Sequence, residues 1–393
     1  MIRESAKRGA GRFGRQPGGS SGTKLTGKYG TPPRGVRKRT KAVKVVNAPK
    51  AGRSSRSRRS PWRAILGVLA LALGAAAGLG TLARVLPGEL MALPYVPIVV
   101  AFEPWFALVA LVALLLSLAS RRWLTALIMI VCIAAQAWWQ YPFFSPSSAL
   151  PSGATRALST ANPNPIDMYA RVMTCNVYKG AADAEAIVEA VRDERVEVLA
   201  LQETTADFVS RLEKAGIGKY LPYSKVSSSD GVYGNGLWSV TPFADTVDDE
   251  VDSSASFMPA GTVTFGDGKA QVRFVSVHTT APVPGYWSLW RKSLDELGMM
   301  RSRADRRYVF MGDFNATYDH APFREFLGDR FTDAARSAGR GLTLTWPTDK
   351  SPVPRFAGID HVVVDRGIVA GRMETKVIPG SDHAALLATI AVS

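Results

Sequence analysis

Hydrophobic and polar positions divide this chain into three regimes. Up to about residue 63 there is no apolar period, from 64 to 144 apolar residues run almost without interruption, and from 166 onward short apolar runs alternate with polar turns. Ala64 to Ala83 is an uncharged, mostly apolar stretch of the length that crosses a bilayer core as a helix. Trp105 to Ser120 is a second such run, whose start could reach back past Glu103 and Pro104 toward Tyr95. Trp123 to about Phe144 is a third, closing on Trp138, Trp139 and Tyr141, rings suited to headgroup level. The pattern predicts three membrane spans.

Beyond them the pattern is that of an α/β domain. Arg171 to Asn176 reads as a strand. Ala184, Ile187, Val188 and Val191 then fall on one helical face, with Asp183 placed to cap it, and Val196 to Leu201 reads as a second strand ending in Gln202-Glu203-Thr204. This strand–helix–strand unit puts Asn176 and Glu203 at neighbouring strand ends. Tyr233 to Ser239 and Val272 to His278 read as later strands. Gly285 to Gly298 is an amphipathic helix whose Trp287, Trp290, Leu294 and Leu297 are core-packing. Tyr308 to Asn315 reads as a buried strand in which Gly312 lets the backbone turn and Asp313 and Asn315, two apart, point to one side. A further strand begins at Gly358 with Asp360 at its entrance, and Ser381-Asp382-His383 precedes a last one, Ala384 to Val392. Of the four histidines, His278, His361 and His383 sit at strand ends, and His320 reads as ordinary surface.

Charge sharpens the topology. Residues 1–63 hold 19 of the 48 Lys and Arg against one acid, or +18, while the remainder holds 29 basic and 32 acidic residues, or −3. The tail is expected to be disordered and to set topology, its other reading being contact with anionic lipid or nucleic acid. Together with Arg121 and Arg122 between spans two and three, it is expected on the cytoplasmic side of the cell membrane, leaving the C-terminal domain extracytoplasmic. Residues 145–165, rich in Ser, Pro, Ala and Asn, suggest an extended tether to a domain at 166–393. That domain carries 25 basic and 30 acidic residues, a balance against general nucleic-acid binding that leaves room for a local basic groove. Cys132 falls in a span and Cys175 in a strand, so no disulfide framework is argued.

Asn176, Leu-Gln-Glu-Thr at 201–204, Gly-Asn at 234–235, His278, Gly-Asp-Phe-Asn at 312–315, Ile-Asp-His at 359–361 and Ser-Asp-His at 381–383 occur in a telling order. From Arg171 onward the chain resembles the endonuclease/exonuclease/phosphatase superfamily, the deoxyribonuclease I-like fold. The resemblance implies a four-layer α/β sandwich, two packed mixed β-sheets with helices outside, and one phosphoesterase site using Mg²⁺, with Mn²⁺ as a substitute. It implies that Glu203 binds the metal, with Asn176 in the metal and phosphate site and Asp382 flanking it. Asp313 would orient or deprotonate the attacking water, and Asn315 would help hold water and phosphate. His383, paired with Asp360, would contact the scissile phosphate, with His278 as a second phosphate-binding or acid histidine and Asn235 as a substrate contact. His361 is expected to support the sheet. His278 stands where abasic-site endonucleases usually carry tyrosine, there is no Trp-Arg-Asp-Arg stretch of the inositol-polyphosphate phosphatases, and Thr280 stands where sphingomyelinases often have a second histidine. The expected protein is a membrane-anchored phosphodiesterase acting on a lipid headgroup or nucleic acid. The competing expectation is a catalytically silent receptor or scaffold, against which the intact acids, amides and histidines argue.

Overall fold

A computed structural model describes residues 61–157 and 163–393; the basic tail up to residue 60 and the middle of the expected tether lie outside the described residues. The chain opens with α1 (Pro61–Ala83), then a short α2 (Val96–Ala101), α3 (Phe106–Ser120) and α4 (Trp123–Gln140). Three stretches, Pro61–Ala83, Glu103–Ser120 and Trp123–Phe143, are long and apolar enough to cross a membrane, matching the three predicted spans. The buried stripe of α1 is Gly67, Ala70, Gly74, Ala77 and Gly80, small residues at three- and four-residue spacing that let neighbouring helices approach closely. The second span does not run back to Tyr95 as one helix, because a 3₁₀ turn, Glu103–Trp105, separates α2 from α3. Glu103 is fully buried at that turn and accepts from Gln140 Nε2 at 2.9 Å.

The stretch expected as an extended tether is instead laid on the domain. Phe143 is buried in the domain core, Ser147 donates its N–H to the Ser337 carbonyl at 3.0 Å, and α5 (Ser152–Ala157) buries Ala154 completely. The chain leaving α4 is thus anchored before the domain begins.

The domain elements follow as β1 (Tyr169–Asn176), α6 (Ala184–Glu194), β2 (Val198–Gln202), α7 (Ala206–Lys214), β3 (Tyr223–Ser227), β4 (Asn235–Ser239), β5 (Ala244–Val247), β6 (Ala260–Phe265), β7 (Ala270–His278) and α8 (Trp287–Gly298). Then come β8 (Tyr308–Asp313), α9 (Ala321–Leu327), β9 (Thr332–Asp333), α10 (Ala334–Ala338), β10 (Asp360–Val364), β11 (Ile368–Val377) and β12 (Ala384–Val392). They form two mixed six-stranded sheets, ordered β11-β12-β1-β2-β4-β3 and β5-β6-β7-β8-β10-β9. Strand β8 shows why its sequence is apolar throughout: Val309 and Met311 face the inter-sheet core, while Tyr308 and Phe310 face the layer of α8 and α9. Helices α6 and α7 cover the other sheet through Ile187, Val191, Phe208 and Leu212. The result is the expected four-layer sandwich. Gly312 does not begin a turn, since the strand continues to Asp313; a Cβ there would lie 1.9 Å from the Val277 carbonyl oxygen, so the residue is small because β7 passes against it.

The segment between α1 and α3 docks on α8 and α9. Arg84 Nε meets Asp319 Oδ1 at 2.7 Å with both side chains buried, Gln140 Nε2 reaches the same carboxylate at 3.2 Å, and Arg324 donates to the Arg84 carbonyl at 3.1 Å. His320 is not at the surface. It is buried in this junction, with its Nδ1 accepting the Thr317 N–H at 2.9 Å and its Nε2 donating to the Pro97 carbonyl at 2.8 Å, an arrangement that requires the neutral ring.

Burial lowers the His320 pKa from 6.5 to about 4. The unfolded chain therefore takes up a proton that the folded chain refuses, and stability is lost as pH falls from 6.5 to about 4 and is flat below. The full loss is about 3 kcal/mol, readable as a pH-dependent midpoint of thermal unfolding in detergent that His320→Gln removes. Gly312→Ala forces backbone apart between β7 and β8, and is expected to lower the same midpoint sharply at every pH.

Candidate active site

Sheet direction explains why distant motifs meet. Parallel β1 and β2 end on one edge, parallel β7 and β8 end on the same edge, and antiparallel β4, β10 and β12 begin there. Asn176 is thereby opposite Gln202, His278 beside Asp313, and Asp360 across from Asp313.

Asp313 is the hub. Its Oδ1 accepts the Asn315 backbone N–H at 2.8 Å, and its Oδ2 accepts Asn176 Nδ2 at 3.1 Å and Asn315 Nδ2 at 3.3 Å. His383 Nε2 lies 3.6 Å and His278 Nε2 3.8 Å from the same Oδ2. Burial holds the Asp313 pKa above the usual carboxylate range; His383 acts against this shift and Asp360 adds to it. His383 Nδ1 sits 2.8 Å from Asp360 Oδ2. Burial disfavours charge on this ring, but Asp360 and Asp313 outweigh it and push its pKa up to about 10, so it is an imidazolium at neutral pH. His278 Nδ1 is 3.0 Å from the Val232 carbonyl, which can only accept, leaving Nε2 aimed at Glu203 and Asp313.

Glu203 follows β2 with a φ of +59°, a left-handed conformation costly for a glutamate, and Asn315 shares it at +46°. What holds Glu203 there is the Lys179 backbone N–H on Oε2 at 2.8 Å and Asn176 Nδ2 on Oε1 at 3.2 Å. Asn176 turns its Oδ1 to the Tyr178 N–H at 2.9 Å, so its amide nitrogen bridges the two carboxylates. Asp382 accepts Trp346 Nε1 at 3.4 Å, and burial raises its pKa, with Asp313 and Glu203 also repelling its charge.

Two acid groupings could attract a cation. Oxygens and a ring nitrogen of Asp313, Asp360 and His383 lie within 4.8 Å of one another, but a protonated imidazole has no lone pair to offer a metal. Glu203 fits better, because its nearest donors are neutral amides and two further acids crowd it. A cavity of about 700 Å³ lies elsewhere: Arg273, Arg306, Arg307 and Arg366 line it at the opposite ends of β7 and β8.

The structure brings together Asn176, Glu203, His278, Asp313, Asn315, Asp360, Asp382 and His383. Asn235 sits one strand away, where its Nδ2 holds Ser256 Oγ at 3.1 Å and the Phe257 carbonyl at 2.5 Å, and Ser256 in turn donates to the His278 carbonyl at 2.7 Å. His361 faces the α9 layer, bonded to Asp333 at 2.7 Å and packed on Phe323, the supporting place expected for it. Three contributors escaped the sequence reading. Ser381 ties His383 N–H to the Asn176 carbonyl, the backbone of Lys179 holds Glu203, and Trp290, read only as core, donates Nε1 to the Asn315 carbonyl at 2.9 Å. Only Ser381, within Ser-Asp-His, had a motif to flag it.

Residues 173–383 match the model of the Endonuclease/Exonuclease/phosphatase family. No curated protein matches the chain. Similar solved structures include Danio rerio TDP2 complexed with single strand DNA product, at 18% identity over 57% of this chain and 100% of that one, with a TM-score of 0.48. A family protein from Leptotrichia buccalis is similar at 14% identity over 57% and 99%, with a TM-score of 0.46. With more than half of its length matched by that model, the chain belongs to the endonuclease/exonuclease/phosphatase family.

Proposed function

We propose that this protein is a membrane-anchored, divalent-metal-dependent phosphoesterase that hydrolyses a phosphate ester by water attack, with its active domain outside the cytoplasm. The observation that carries the reading is the opposition of Asp313, a carboxylate held by three amide contacts, to a charged His383 ring 3.6 Å away. Base and phosphate ligand thus face one space.

Asp313 takes the proton of the attacking water, and its raised pKa brings it closer to the neutral range where a general base works best. Asn315 fixes the carboxylate and offers its amide to the phosphate. His383, held charged by Asp360, donates from Nε2 to a non-bridging oxygen as charge builds there. His278 lies on the other side, beside Glu203. Glu203 would hold Mg²⁺, or Mn²⁺ in its place, with Asn176 and Asp382 beside it; bound there, the cation offsets negative charge on the phosphate. The departing alkoxide takes up one proton, so ester and water give phosphate and alcohol.

The purified full chain in detergent is expected to release nitrophenol from bis-(p-nitrophenyl) phosphate with Mg²⁺ and to stop on adding EDTA; no EDTA-sensitive release would favour the silent scaffold. Asp313→Asn is expected to cost about 10²- to 10⁴-fold in kcat. Asp360→Asn removes the charge that keeps His383 protonated. Because the active ring is the protonated one, the alkaline limb of the pH–rate profile moves down from near 10 toward neutral pH, and an unmoved limb refutes the assigned pair.

A further inference from the structure

We infer that the catalytic mouth opens at the bilayer surface and accepts a phosphate ester carried by a membrane lipid, an inference that rests on the hydrolase reading above and names its substrate.

Two loops border the site. The first follows His278 and is tied to the machinery where Asn315 Nδ2 donates to the Thr279 carbonyl at 2.9 Å. The second follows Trp346, whose indole bonds Asp382, and Thr348 donates its N–H to the Asp382 carbonyl at 2.9 Å. Both loops are also fixed to the segment that enters the second span. Tyr95 packs on Trp287 with ring centres 5.5 Å apart, Phe102 stacks on Phe356 at 4.5 Å, and Trp105 Nε1 donates to the Phe356 carbonyl at 2.8 Å. Helix α3 enters the bundle one residue after Trp105. The edges of the mouth are therefore stapled to the point where the chain leaves the membrane.

The tips of the two loops are alike. Each carries Pro-Val-Pro, at 282–284 and 352–354, and each leaves its valine out, Val283 at 46% and Val353 at 48% exposure. Proline has no N–H to leave unsatisfied in an apolar medium and stiffens the loop that presents the valine. Tyr286 and Tyr95, 51% and 63% exposed, add amphipathic rings of the kind that sit at headgroup level. One exposed apolar side chain is ordinary; paired apolar tips continuous with a membrane-spanning bundle fit a lipid surface. A nucleic acid would need a cationic track for its phosphates, and the arginines gather instead at the far ends of β7 and β8.

The full chain would be reconstituted in phosphatidylcholine vesicles doped in turn with sphingomyelin, phosphatidylinositol or phosphatidylglycerol, with a single-stranded DNA oligonucleotide as the soluble rival. Val283→Asp combined with Val353→Asp is expected to lower hydrolysis of one of these lipids at least tenfold while leaving bis-(p-nitrophenyl) phosphate turnover unchanged. A fluorophore on Val283→Cys, feasible because Cys132 and Cys175 are both buried, is expected to be quenched by spin-labelled lipid. Absence of quenching overturns the inference through its geometry, and so does DNA cleavage that outpaces every lipid and ignores the loop variants. Quenching without hydrolysis of any ester, soluble or lipid, overturns the substrate assignment through the hydrolase reading instead.

Discussion

Four carboxylates, those of Glu203, Asp313, Asp360 and Asp382, repel one another across a cleft largely closed to water. Two unit charges 4 Å apart at an effective dielectric of 20 interact by about 4 kcal/mol, comparable to a large part of a domain's net stability. The surroundings are arranged to offset this. One imidazolium lies between Asp360 and Asp313, one amide between Asp313 and Glu203, and the backbone N–H groups of Lys179 and Asn315 take one further oxygen each, on Glu203 and on Asp313. Those donors come from both sheets, so the sheets must not slide. Gln202 pins them, accepting from Thr174 at 3.1 Å within its own sheet and donating to Ser276 at 3.0 Å across to the other. A buried polar bridge fully satisfied in this way rigidifies the floor under the site.

The junction with the three long apolar helices follows a similar logic. Taking Arg84 and Asp319 out of water is costly, and the pair is retained only because Gln140, the Arg324 contact to the Arg84 carbonyl and the Trp139 ring under the guanidinium surround it. Met91 and Val100 complete it by entering the same apolar cluster as Trp290, Leu294 and Phe323, so the α8 and α9 layer is one core shared by the domain and the segment between α1 and α3.

This shared core marks the boundary of what the sequence makes legible. Asp313, Glu203 and His383 could be read because a strand end announces itself locally, by an apolar run stopping at an acid, amide or imidazole, and because the sheets put all such ends on one edge. The three spans and the two-sheet sandwich follow from equally local periods. His320 could not be read this way: its fate is set by the carbonyl of Pro97, 223 residues away, and no spacing encodes that. The course of residues 145–157 was hidden for a related reason. Their Ser- and Pro-rich composition reports on backbone preference, whereas their course is set by Phe143 being buried upstream and Ser337 offering a carbonyl downstream.

His383 owes its charge to two carboxylates, Asp360 and Asp313. Asp360 is fully buried, one of its oxygens is taken by His383, and its Oδ1 has no hydrogen-bond partner. A neutral His383 could still donate Nδ1–H to Asp360 but would set no counter-charge beside this buried carboxylate, which carries a cost. The charged ring removes that cost, and once charged it points Nε2–H toward the space above Asp313. The same proton therefore joins two buried carboxylates, Asp360 and Asp313, through one ring.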